Sequence, residues 1–225
     1  RTRAVRSLSV SPARSSGARA VGMTPAFDIC ASGAAKVAEF SADHRDPSAS
    51  WSAVKSALVQ VLGQIDAGLV RAISVDGTSG TMLPVDTRGT PLAEPLMYND
   101  PLTGQAILDA VADHAPRESA AHGATSGLAK VLHFQSLAGV FPVIHQADWL
   151  AGHFTGLYDV SDENNALKTG YDPVARCWPA WIGNTGAHMD MLPDVLPAGT
   201  PIADISSEAA GYFGLSPDVA IIAGT

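Results

Sequence analysis

The chain has 225 residues, 46% of them apolar and 16% charged, which is enough apolar material for a sizeable core in one large domain or two small ones. The formal net charge of −8 argues against a nucleic-acid surface as the main function. No apolar run approaches the roughly 18 residues of a membrane-crossing helix, so no such segment is expected.

Charge is unevenly placed. Arg1, Arg3, Arg6, Arg14 and Arg19 all precede the first acid, and nine basic and 22 acidic residues follow Phe27. An Arg- and Ser-rich start without acids has the composition of an organelle transit peptide, or of a solvated basic tail. Residues 1–14 are therefore expected to form a leader, with the chloroplast as address and the cytoplasm as the alternative. Cys30 and Cys177 show no CxxC or Cys/His spacing and are expected to be reduced thiols. The seven histidines show no ligand spacing either, so no zinc site is expected.

Residues 1–16 show no periodicity. Ser15-Ser16-Gly17 reads as a turn before the short apolar stretch Ala18–Met23. A strand is expected at Lys36–Phe40 and a polar loop at Asp43–Ser50. Val54, Leu58, Val61, Leu62 and Ile65 recur at three- and four-residue spacing, which predicts a helix over Trp51–Leu69 ending at Gly68. Arg71–Val75 and Met82–Val85 read as strands flanking the Gly-rich turn 76–81, and Asp86-Thr87-Arg88-Gly89 reads as a hairpin-type connection. Helices are expected over Gly104–His114, Gln146–Phe154 and Ser206–Phe213, a further one starts at Gly127–Phe134 and is broken near Gly139, and short helical pieces are expected at Pro179–Ile182 and Met189–Leu192. Val140–Ile144 is apolar but holds Pro142. Asp159–Thr169 reads as a polar loop and Ala220–Ala223 as a buried strand. Alternating strands and helices predict an α/β fold.

The chemistry begins at Ile73–Thr81, ISVDGTSGT. A strand running into a turn dense in Gly, hydroxyls and one carboxylate exposes backbone N–H groups and short polar side chains, which suits a polyol or a phosphate. An ordinary solvent-exposed turn has the same composition. The order of blocks adds to this: ISVDGTSGTMLPVDTRGTPL, then LMYND, then Ser126-Gly127 with Lys130, then HQADWL, SDENNALKTGYDP and IIAGT. Together, over about residues 15–225, they resemble the N-terminal domain of the FGGY carbohydrate kinases. Within them the chain is most similar to the plant and cyanobacterial D-ribulose kinases, also called xylulose-kinase-like.

The resemblance implies an actin-like ATPase (ribonuclease H-like) domain, the sugar-binding half of a two-domain kinase, with ATP and Mg²⁺ as cofactors and a small-molecule sugar as partner. It implies phosphorylation of a ketopentose, D-ribulose to D-ribulose 5-phosphate. Neither nucleic acid nor membrane is an expected partner. The family's first block reads Asp-Phe-Gly-Thr-Ser-Gly-Ala-Arg, and here the aligned stretch is Pro12-Ala13-Arg14-Ser15-Ser16-Gly17-Ala18-Arg19. Pro12 replaces the carboxylate that holds sugar and metal, and Arg14 replaces a phosphate-facing Gly. Ser16, Gly17, Ala18, Arg19, Asp76, Thr78, Ser79 and Asp148 are the implied substrate-binding residues. Ser15, Gly224 and Thr225 are the implied phosphate-facing ones. The catalytic Asp is expected just beyond Thr225, so residues 15–225 are expected to lack the C-terminal ATP-binding domain and to be inactive alone. A degenerate domain that binds a sugar or a partner without transferring phosphate is the alternative. Asp76 carries a turn-capping role as its alternative, His145 is expected to be structural and Lys130 a snorkelling surface residue. Asp162 and Asn164–Asn165 are expected to organise an Asx turn, and Trp149, Trp178 and Trp181 to pack in core or hinge.

Overall fold

The computed structural model describes residues 6–13 and 17–224. It opens with a three-stranded antiparallel meander, β1 (Ser7–Ala13), β2 (Gly17–Met23) and β3 (Ile29–Lys36). Residues 7–13 of the expected leader form β1. Ser7–Ala13 lies inside the sheet, paired with β2 on one side, and Leu8 and Val10 are fully buried. Ser-Leu-Ser-Val-Ser alternates with period two, and that pattern outweighs the basic composition around it. The expected strand at Lys36–Phe40 is instead a short 3₁₀ turn, Val37–Glu39, beyond the end of β3.

α1 (Pro47–Leu62) starts four residues earlier than the apolar periodicity and stops seven residues sooner. The Asp46 carboxylate accepts from the Ser48 and Ala49 N–H groups, and Pro47 lacks the N–H that a first turn would leave unpaired. The Ser48 hydroxyl leads the hydrogen bonds that hold Asp46 below the usual carboxylate range. Ala53, Val54, Ala57, Leu58 and Val61 form the wholly buried face of α1, which packs on β1, β2 and β3. Each of the larger ones contributes about 1.5–3 kcal/mol by leaving water.

β4 (Ala72–Val75) returns to the sheet parallel to β1. After it come β5 (Met82–Pro84), α2 (Gln105–His114), α3 (Gly127–Phe134), β6 (Val143–His145) and α4 (Gln146–Thr155). β5 and β6 pair antiparallel. Asp159–Thr169 is not a loop: it holds β7 (Val160–Asp162) and α5 (Glu163–Leu167), with Asp162 as the helix cap. α6 (Trp181–Asn184), β8 (Asp194–Leu196), β9 (Pro201–Asp204), α7 (Ser207–Phe213) and β10 (Ala220–Ile222) complete the chain, and β8 pairs parallel with β7.

The main sheet runs β3-β2-β1-β4-β10-β9, with β1, β4 and β10 parallel at its centre. The main core joins this sheet to α1, α4 and α7. Trp51 of α1 stacks on His153 of α4 with ring centroids 4.5 Å apart and planes 7° from parallel, and Phe154 stacks on Phe213 at 5.7 Å. Burial pushes the His153 imidazole down to about 4, with the Lys55 cation adding to the effect.

Candidate functional site

β1, β4 and β10 point the same way, so their carboxyl ends share one edge of the sheet. In open α/β sheets that edge is where ligands bind. The Asp76 N–H donates to the Val10 carbonyl at 2.7 Å, which fixes the start of the turn after β4 against β1. Asp76 is exposed, and Thr78 and Ser79 are half-buried. Among the described residues, the N–H groups of Gly77, Thr78 and Ser79 meet no acceptor.

The turn is held from behind. A Cβ at Gly77 would lie 2.7 Å from the Ala147 Cβ, so the backbone passes α4 where a side chain has no room. Gly80 adopts φ +94°, a conformation that favours glycine. Its N–H donates to His145 Nδ1 at 3.1 Å and its carbonyl accepts from Lys130 Nζ at 2.6 Å. Lys130 Nζ also donates to the Met97 carbonyl at 2.6 Å. The Gln146 N–H donates to the Thr81 carbonyl at 2.9 Å, and the Tyr98 N–H to Thr81 Oγ1 at 3.1 Å.

Lys130 is thus not a surface residue. It is fully buried on α3, between Ser126, Gly127 and Phe134 on the buried face of that helix. Burial lowers its ammonium to about 8, opposed by the nearby Asp100 carboxylate. His145 is 2% exposed, and burial together with the Lys130 charge pushes it down to about 3. Its imidazole is neutral at pH 7. Because Nδ1 accepts from Gly80, the proton sits on Nε2, which faces Thr169 Oγ1 at 3.4 Å.

The start of β2 lies beside the carboxyl end of β1, where Gly17 pairs with Ala13 and Arg19 with Ser11. Gly17 and Arg19 open β2 and border a groove of about 550 Å³ with Ser11, Lys36 and Glu39. Ala18 is 3% exposed and its methyl belongs to the main core, so only its backbone reaches that groove. Gly224 follows β10 at the shared edge, with φ +106° and its α-carbon against Ala198. Ser15, Ser16 and Thr225 lie outside the described residues.

Asp148, an expected substrate contact, is buried. It sits in the first turn of α4, 6% exposed, where Oδ2 accepts from the His145 N–H at 3.3 Å. The hollow beside it, bordered by Val75, Ser161, Asp162 and Gly224, measures about 10 Å³. That is room for about one water and not for a sugar. Burial raises the Asp148 carboxyl well above the usual range, and neighbouring Asp162 raises it further. Asp162 accepts from the Asn164 and Asn165 N–H groups at 2.8 and 3.0 Å and from Asn165 Nδ2 at 2.7 Å. Asp162 and Asn165 make the expected Asx-type cap.

The sequence reading did not single out Tyr98. It is 41% exposed, and its Cβ lies 3.7 Å from where a Cβ on Gly80 would be. The LMYND block that carries it was visible, but its contact with the turn was not. Chemically, the edge presents one exposed carboxylate, two hydroxyls, three amides and a phenol. Such a set can exchange hydrogen bonds with several adjacent hydroxyls of a polyol.

No family model matches the chain. Solved structures do. A xylulose kinase from Rhodospirillum rubrum superposes with a TM-score of 0.79 at 18% identity, over 97% of this chain and 48% of that one. A gluconate kinase from Lactobacillus acidophilus gives 0.76 at 15% identity, over 97% and 48%. The Plasmodium falciparum glycerol kinase with ADP gives 0.76 at 15%, over 96% and 47%. The chain spans about half the length of these kinases. Its fold is the α/β, actin-like ATPase fold of the N-terminal domain of FGGY sugar kinases.

Proposed function

We propose that the chain is the sugar-binding half of an ATP-dependent carbohydrate kinase. The observation that carries this is the meeting of the β1, β4 and β10 carboxyl ends at one clamped, hydroxyl-rich turn. Within that class the proposed substrate is a ketopentose, D-ribulose giving D-ribulose 5-phosphate, supported by the order of the sequence blocks. The proposed domain begins at β1 rather than at residue 15. Asp76 accepts from sugar hydroxyls, Thr78 and Ser79 exchange hydrogen bonds with them, and Arg19 borders the groove next to β1. Rigid backing by α4 and α3 orients the sugar without reorganisation on binding.

ATP bound as its Mg²⁺ complex would supply the phosphoryl group. The described residues alone do not fit the metal: among them no group of three or more His, Cys, Asp or Glu side chains converges, and Asp76 is the single carboxylate on the turn. The base that takes the sugar proton is proposed to follow Thr225, in the half of the kinase that this reading assigns to ATP. Pro12, in the β1 position where the resemblance puts a carboxylate, favours a second reading in which the domain binds a sugar without transferring phosphate.

Isothermal titration of D-ribulose, D-xylulose, glycerol and gluconate into the chain tests the proposal. Saturable binding of a ketopentose, weakened at least tenfold by Asp76→Asn and by Ser79→Ala, is expected. No binding of any of the four overturns the sugar-site reading. ADP release by the full-length protein, dependent on the same sugar, separates kinase from non-catalytic binder.

A further inference from the structure

We propose that Lys130 is a positioning residue for the ligand-facing turn, its ammonium joining that turn to the LMYND segment so that Ser79 and Tyr98 are held at a fixed spacing. The inference rests on the sugar-site reading above and names the residue that sets its geometry.

Lys130 is among the largest fully buried side chains, with Phe154 and the core leucines. A lysine ammonium inside a protein is costly unless partners replace its water. Methionine or leucine would fill the same position on α3 without that cost. What the ammonium does, and an apolar side chain would not, is gather two carbonyls. Gly80 and Met97 both turn their oxygens to Nζ at 2.6 Å. Each is the immediate neighbour of a group at the candidate site, Ser79 in one case and Tyr98 in the other.

The rest of the constellation has the same logic. His145 takes the Gly80 N–H, so the Gly80 residue is held through its amide and its carbonyl alike. Tyr98 is tied back to Thr81 through its own N–H. Asp100 steadies the far side: it accepts from the Met97 N–H at 2.8 Å and pairs with Arg45 at 3.0 Å. Lys130 is the link between the two segments, since its ammonium bonds to both. With both carbonyls drawn to Nζ, the amides of Gly77, Thr78 and Ser79 meet no acceptor among the described residues, and Tyr98 remains 41% exposed.

Hydrogen–deuterium exchange and D-ribulose titration on Lys130→Met and Lys130→Gln test this. In Lys130→Met the hydrogen-bonded amides of Gly80, Thr81, Met97 and Tyr98 should exchange at least tenfold faster while those of 54–61 in α1 change less than twofold. The Kd for D-ribulose should rise at least tenfold. Lys130→Gln, which keeps a donor, should fall between wild type and Lys130→Met in both readouts. Exchange of the turn rising no more than that of α1 would overturn the inference. So would failure of both variants to fold, which would make Lys130 a requirement of the whole domain. If wild type binds no ketopentose, the sugar reading fails alone, and the exchange data still decide whether Lys130 orders the turn.

Discussion

Leu8→Ala separates a core strand from a leader. Leu8 is fully buried in the main core, on a strand paired on both sides by β2 and β4. Truncation removes the equivalent of three methylenes, about 2.4 kcal/mol at roughly 0.8 kcal/mol each. The unfilled space beneath α1 adds a cavity cost, which brings buried Leu→Ala changes to about 3–5 kcal/mol. In a domain of this size each kcal/mol moves the Tm by about 2–4 °C, so a fall of roughly 6–20 °C is expected. Circular dichroism during heating and in urea measures both quantities. Ser9→Ala, on the half-buried opposite face, is the control and should stay within about 0.5 kcal/mol of wild type. A loss below about 1 kcal/mol for Leu8→Ala would refute the reasoning and return residues 7–13 to the role of a solvated leader.

Asp148→Asn should gain stability relative to wild type as pH rises. The folded-state carboxyl titrates above its ordinary value of 3.8, so the native state binds the extra proton. Wild-type stability from that proton is complete below about pH 3.8 and is lost as pH rises toward the raised folded value, at no more than about 1.4 kcal/mol per pH unit. Parallel urea-midpoint curves for the two proteins between pH 4 and 7 would rule the idea out. Gly77→Ala forces a methyl to 2.7 Å from the Ala147 Cβ, and a loss of about 1–3 kcal/mol is expected from thermal melts. A melt unchanged from wild type would show that the turn does not press on α4.

The helices were the most legible part of the sequence. α3 starts at Gly127, as its apolar face at helical spacing predicts, and ends at Phe134 rather than near Gly139. α1 was found through Val54, Leu58 and Val61, but its start depends on Asp46 and Pro47, which the apolar periodicity does not register. The meander was hidden by size. β2 and β3 bury Ala18, Ala20, Ala31, Gly33 and Ala35, residues too small to stand out as an apolar stripe. β7 and α5 were hidden by polarity, since Ser161, Asp162 and Asn165 are all buried, and Asp162 and Asn165 are joined by hydrogen bonds rather than by apolar surface.

At the site, the DGTSGT turn was visible and its supports were not. Lys130 and His145 lie 50 and 65 residues from Gly80, and nothing local announces that they meet. One sign was present for Lys130. It shares its helix face with Ser126, Gly127 and Phe134, at the spacing that a buried face requires.

The sheet order has a kinetic consequence. β1, β2 and β3 follow one another closely, so the meander and α1 can form from local contacts. The pairing of β4 with β10 joins Ala72 to Ala220 across most of the chain. Closing so long a loop costs entropy before any contact repays it, and topologies of this kind fold slowly. The topology therefore predicts that the β4–β10 seam closes after the meander has formed. That seam ends beside Asp76 and Gly224, so a ligand held there would grip the joint that closes last and slow its reopening. Binding would then be felt as resistance to unfolding, at a place far in sequence from where folding begins.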